Sequence, residues 1–184
     1  MHPFGNPKIL LAVLVAALAL LVPATAGAVE KTGGTAYEAP PKKARVVNGK
    51  AIAPSNAPSK VKKIIAAANR IVRKPYRYGG GHGSWEDSGY DCSGTVSYAL
   101  HGAGLLDSPL DSGSFMRWGK SGKGKWVTIY ANGGHAFMVV AGLRLDTGYR
   151  TSYAAKWGGK GGSGPRWDKK RSTDGFHVRH PSGL

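Results

Sequence analysis

Residues 91–104 read DCSGTVSYALHGAG, opening on Asp91-Cys92-Ser93-Gly94. Val96, Ala99, Leu100 and Ala103 recur at three- and four-residue steps, which predicts a helix with one apolar face, and Gly102 and Gly104 stop it. Asp91 is a good N-cap, so Cys92 falls in the first turn. The unpaired N–H groups and the positive dipole end there stabilise an anion. Cys92 is the only cysteine in the chain. It cannot close an intramolecular disulfide, and in an oxidising compartment a lone thiol is a candidate nucleophile.

Outward from this helix the elements divide into two groups. Upstream, Pro58-Ser59 opens a helix carrying Val61, Ile64, Ile65, Ala68, Ile71 and Val72 on one face, which Pro75 ends. Tyr76 to Gly83 is too glycine-rich for an element and reads as a loop. Asn48-Gly49, flanked by Val46-Val47 and Ala51-Ile52, predicts a tight hairpin near the start of the domain. Downstream, Leu105 to Lys125 carries only loop signals. Trp126 to Tyr130 and His135 to Leu145 read as strands joined at Asn132-Gly133-Gly134. Tyr149 to Lys170 is irregular, and Phe176 to Arg179 is a final strand. Helices first and strands later predict a segregated α+β domain with no internal repeat.

A short start with Lys8 as its only charged side chain precedes an apolar run from Ile9 to Val22 and the small residues Ala24-Thr25-Ala26-Gly27-Ala28. That run is short for a span of roughly 20 residues and suits a signal peptide over 1–28. No later stretch is apolar enough to span a membrane. Residues 29–44, with Pro40-Pro41 and Lys42-Lys43, read as a flexible basic linker, and 45–184 as a single domain large enough to fold without disulfides. The formal net charge is +16, or about +15 without Lys8, which implies attraction to polyanions. For an exported chain these are anionic cell-wall polymers, peptidoglycan carboxylates and head groups. The charge is spread along the chain, which speaks against a specific nucleic-acid partner.

A thiolate nucleophile needs a base and an orienter for that base. Of the six histidines, His2 departs with the leader, and His101 in the last turn of the thiol helix lies too far along the axis. His82 sits in the glycine loop but has no supporting partner in the sequence. His135 opens the apolar strand Ala136-Phe137-Met138-Val139-Val140 directly after two glycines, so its imidazole can sit at a strand end facing a cleft. A strand-end histidine taken alone is more often structural, and beside a lone capped cysteine the catalytic reading is favoured.

Pro75-Tyr76-Arg77-Tyr78-Gly79-Gly80, then Asp91-Cys92-Ser93-Gly94, then Gly134-His135-Ala136 resembles the NlpC-type cell-wall endopeptidases, a bacterial branch of the papain-like cysteine peptidases. The resemblance covers roughly Ala57 to Asp146, about half the chain. It implies a papain-like α+β fold, with N-terminal helices packed on an antiparallel β-sheet that carries the base. It also implies cleavage of peptidoglycan stem peptides between D-γ-glutamyl and a diamino acid, by a secreted or cell-wall-associated bacterial enzyme. On that analogy Cys92 attacks, His135 is the base, and Tyr76, Asp91 and Ser93 help bind the stem peptide. The family places a polar residue, often His, Asn or Gln, about a dozen residues after the base. Here Asp146 stands 11 residues on, and a carboxylate is chemically adequate to orient the imidazole. A turn residue before Gly148 is the other reading of Asp146, and His177 and His180 are the runners-up.

No cofactor and no metal is called for, because a solitary cysteine excludes a cysteine-rich zinc site. Gly119-Lys120-Ser121 is not a phosphate loop, since Gly113 lies one residue too far upstream. The tryptophans at 85, 118, 126, 157 and 167 are expected to pack, although a glycan groove would also use them. A monomer is expected. The rival readings are an amidase of the same fold that cuts the muramic acid–L-Ala bond, an inactive domain that binds wall by charge and aromatics, and, last, an extracellular nucleic-acid binder.

Overall fold

A computed structural model of the chain describes residues 43–148, 163–168 and 171–184. The expected leader, most of the expected linker and Trp157 lie outside the described residues. Ala44, which composition assigns to the linker, is buried, and its N–H donates to Ala141 O at 2.9 Å.

The first element is a hairpin of β1 (Arg45–Val47) and β2 (Lys50–Ile52), with Asn48 at φ 49° and Gly49 at φ 77°. Both central residues occupy the left-handed region that a two-residue turn of this hand demands. Helix α1 (Ser59–Ile71) follows, and it ends with Val72 as its C-cap, short of Pro75. Helix α2 (Cys92–His101) starts at Asp91 and stops at Gly102.

Three stretches depart from the reading of the sequence. The 105–125 stretch is not all loop. It holds a one-turn helix α3 (Ser112–Phe115) and a short strand β3 (Lys120–Ser121). Asp111 caps α3, its Oδ1 accepting the Ser114 N–H at 2.8 Å, and the fully buried Phe115 ties the turn down. The single strand expected from His135 to Leu145 is a hairpin of β5 (His135–Val140) and β6 (Leu143–Asp146). It turns at Ala141 (φ 47°) and Gly142 (φ 82°), where the alanine takes a conformation that its side chain disfavours and so masks the turn in the sequence. Lastly, β7 (Arg166–Asp168) lies within the supposedly irregular 149–170 stretch.

With β4 (Val127–Asn132) and β8 (His177–His180), these strands form a six-stranded antiparallel sheet ordered β3-β8-β4-β5-β6-β7. The last strand therefore crosses back to pair between β3 and β4. The architecture is α+β, with helices packed on an antiparallel sheet, as the element order predicts. Val61, Ile64, Ile65 and Ala68 of α1 and Val96, Ala99 and Leu100 of α2 share one core with Ile129, Ala131, Met138, Val140 and Leu145 of the sheet. Each such large aliphatic side chain contributes about 1.5–3 kcal/mol on burial. That seating puts the N-terminus of α2 beside the start of β5. Among the described residues no helix is long and apolar enough to cross a membrane.

The four described tryptophans are used in packing. Trp126 and Trp167 are buried in the core, and the Trp167 indole N–H donates to Asn69 Oδ1 at 2.8 Å. Trp118 meets Phe115 edge-on, and Trp85 stacks on His101 with ring centres 3.9 Å apart.

Candidate active site

Asp91 organises the N-terminus of α2. Its Oδ1 accepts the Gly94 N–H at 2.7 Å, and its backbone carbonyl accepts the Thr95 N–H and hydroxyl at 3.0 and 2.7 Å. Helix geometry leaves the N–H groups of Cys92 and Ser93 without an intrahelical acceptor. The glycine loop is stitched to the same point: Gly79 N–H donates to Asp91 Oδ2 at 3.0 Å, and Asp91 N–H to Gly80 O at 3.2 Å. This contact is so close that a Cβ on Gly94 would collide with the Gly80 carbonyl oxygen, so only glycine fits. Tyr76 forms a parallel bridge with Tyr90, which brings its phenol alongside the thiol. Burial first, and then the neighbouring Cys92 and Asp91, push the Tyr76 hydroxyl up to about 12, so it stays a neutral donor.

His135 is aimed by the turn that precedes it. Asn132 Oδ1 accepts the N–H groups of Gly134 and His135 at 3.0 and 2.9 Å, fixing the start of β5. The register that sets Met138 against Leu145 brings Asp146 beside His135. His135 Nε2 lies 2.8 Å from Asp146 Oδ1, and the Cys92 side chain is near enough to the ring to favour its cation. With Nε2 committed to the carboxylate, Nδ1 is the nitrogen left for the thiol. Burial works against the imidazolium, but Asp146 and Cys92 outweigh it and push His135 up to about 9.

Asp146 is almost fully buried, at 3 % exposure, and every contact on it favours the anion. Oδ1 accepts from His135 and from the Gly148 N–H at 2.8 Å; Oδ2 accepts from Arg144 at 2.6 Å and from Arg171 at 3.0 Å. Burial alone would raise its pKa, yet His135, the Gly148 amide and Arg144 hold it well below the usual carboxylate range. Neither runner-up touches the imidazole. His177 is exposed opposite Ala131, and His180 donates from Nδ1 to Gly122 O at 3.0 Å. His101 is structural, bonding Leu106 O at 2.8 Å through Nδ1 beneath the Trp85 ring.

Cys92 opens onto a cleft of about 340 Å³, lined also by Tyr76, Tyr78, Gly79, His82, Asp91, Ser93, Asp111, Ser112, Gly133 and Gly134. The expected substrate-binding residues Tyr76, Asp91 and Ser93 all face it. The sequence leaves His82 without a partner, and the structure supplies one: its Nε2 lies 3.0 Å from Asp91 Oδ1 and 3.2 Å from Ser93 Oγ. The Asp91 hydrogen bond, opposed by burial, raises the pKa of His82. The only hint in the sequence is that the two residues flank one loop-to-helix unit. Arg144 and Arg171 were also missed. Arg144 had a signal, since it stands two residues before Asp146 on the same face of a strand. Among the described residues no group of three His, Cys, Asp or Glu side chains could hold a metal ion.

No protein-family model matches the chain, and no curated protein sequence matches it. Solved structures do. The chain is similar to the peptidoglycan hydrolase RipB of Mycobacterium tuberculosis, at 26% identity over 70% of this chain and 68% of that one, with a TM-score of 0.49. It is also similar to a mutated form of the resuscitation promoting factor interacting protein RipA, at 20% identity over 76% and 71% of the two chains, with a TM-score of 0.48. A hypothetical invasion protein of M. tuberculosis gives 20% identity over 74% and 71%, with a TM-score of 0.46. All three TM-scores are below 0.5, so the assignment of function rests on the residues of the site.

Proposed function

We propose that the chain is a secreted or wall-associated cysteine peptidase that hydrolyses peptidoglycan stem peptides at the D-γ-glutamyl–diamino acid bond. The observation that carries this reading is the grouping of Cys92, at a capped helix start that opens on a cleft, with His135, whose cation it favours, and with Asp146, which bonds His135 at 2.8 Å. The substrate class is supported by the resemblance of the Pro75–Gly80, Asp91–Gly94 and Gly134–Ala136 motifs to the cell-wall endopeptidases.

In this mechanism His135 and Cys92 form an imidazolium–thiolate pair, with Asp146 fixing the ring and favouring its cation. Cys92 Sγ attacks the γ-carbonyl carbon, and the oxyanion that develops meets the uncommitted N–H groups of the first turn of α2. His135 then gives its proton to the leaving amine as the C–N bond breaks. Water, deprotonated by His135, attacks the thioester and releases the γ-carboxylate, while Cys92 leaves as thiolate. Tyr76, Asp91 and Ser93 hold the stem peptide along the cleft.

Purified peptidoglycan incubated with the wild-type protein and with Cys92→Ala, followed by mass spectrometry of the soluble fragments, tests this reading. Fragments ending at D-γ-glutamyl, released only by wild type, are expected. Intact stem peptides freed from glycan would move the reaction to the muramic acid–L-Ala bond. Wall binding by both proteins with no fragments would overturn the catalytic assignment.

A further inference from the structure

A second hollow, of about 420 Å³, lies against the strands carrying the triad but shares no lining residue with the cleft. Four basic residues from four separate segments line it, with Tyr130 and Thr173 among its other walls, and no acidic residue does. Lys43 precedes β1, Lys123 lies in the turn between β3 and β4, Arg144 is in β6, and Arg171 leads towards β8.

The two guanidinium groups are held in place. Arg144 spans Asp146 and Asp168, at 2.6 and 2.9 Å. Arg171 bonds Asp146 at 3.0 Å and lies over the rings of Phe137 and Phe176, at 5.2 and 5.7 Å. The stem of Lys43 is fixed as well: it runs over Gly142, where an added Cβ would come within 3.2 Å of Lys43 Cγ. Lys43 and Lys123 are both exposed, and neither meets a carboxylate among the described residues. Asp146 and Asp168 answer the two arginines, and the lysines leave the hollow with an excess of positive charge.

We propose that this hollow is a subsite for the phosphodiester groups of an anionic polymer. Its cations converge from several directions, and a tetrahedral phosphate presents oxygens in several directions, whereas a planar carboxylate is met in one plane. A phosphodiester also keeps its charge across the whole working range of pH. Seated here, the polymer would hold the protein at an anionic matrix while the cleft stays open.

The test is binding of short poly(glycerol phosphate) to the full chain by isothermal titration calorimetry at about 0.15 M salt, where surface attraction is screened beyond about 8 Å. Binding needs no turnover, so its outcome is separable from that of the peptidase assignment. Lys43→Gln/Lys123→Gln is compared with Lys60→Gln/Lys63→Gln, which removes the same charge from exposed positions on α1. The first pair is expected to weaken binding by about tenfold or more and the second by less than about twofold. Polyglutamate of matched charge is expected to bind more weakly than the phosphate polymer. Equal losses from the two lysine pairs, equal affinity for polyglutamate, or no binding by wild type at this salt would each overturn the proposal.

Discussion

Replacing Asp146 by Asn keeps the shape of the side chain and removes its charge, so it isolates what the carboxylate does for His135. In the folded protein His135 stands at about 9 against an ordinary 6.5. At about 1.4 kcal/mol per pH unit, that interval corresponds to about 3 kcal/mol favouring the imidazolium. Burial pulls the other way, and only Asp146 and Cys92 push upward. Without the carboxylate, burial opposes Cys92 alone, and the His135 value should fall by about two pH units or more. The imidazolium would then be a minority species at pH 7.5. With His135 near 7 only about a quarter of it is charged at pH 7.5, so kcat/KM falls there by about fourfold, and by more if the value drops further. The assay is the pH profile of kcat/KM on a soluble stem peptide, with ¹⁵N NMR titration of the His135 ring in both proteins. The basic limb of the profile reports the free enzyme and should sit near 9 in wild type and near or below 7 in D146N. A basic limb that stays near 9 in D146N would overturn this role for the carboxylate, because Asp146 would then be contributing geometry without charge.

Two further consequences concern stability. The folded value of His135 lies above its unfolded one, so its contribution is full below about 6.5 and disappears as pH rises through about 9. Thermal unfolding midpoints should decline across that window in wild type, and His135→Asn should flatten the decline. Gly94→Ala drives a methyl group into the Gly80 carbonyl and should destabilise the domain by about 1–3 kcal/mol in urea unfolding, with activity lost as the glycine loop shifts.

The sequence disclosed the helices because their apolar spacing is long and regular, and it disclosed Cys92 and His135 because each stands at a marked boundary: a capping aspartate for one, a double glycine for the other. Asp146 was open to two readings. Distance along the chain cannot tell an orienting carboxylate from a turn residue until the register of β5 on β6 is known. That register was hidden by Ala141, which occupies the first turn position at positive φ where glycine or asparagine would have announced the hairpin. Short elements held by tertiary contacts were equally hidden. The α3 turn exists because Phe115 is buried, and β3 exists because β8 returns from the far end of the chain to pair with it. Likewise His82 and Asp91 are joined only when the glycine loop folds back on the helix start.

The arginines behind Asp146 bear on why a carboxylate can serve at this position. An imidazolium in the proposed reaction must hold its proton while the thiolate waits, and then surrender it to the leaving amine. A buried carboxylate with no other partner would favour the cation too strongly for the second task. Here Oδ2 is taken by Arg144 and Arg171, which leaves Oδ1 to be divided between His135 and the Gly148 amide. The two guanidinium groups oppose the imidazolium charge through the same carboxylate that supports it. His135 stands at about 9, high enough to keep the pair charged near neutrality and still within reach of an amine leaving group. A neutral amide at this position would orient the ring without supporting its charge. Asp146 does both, while the arginines occupy its other oxygen.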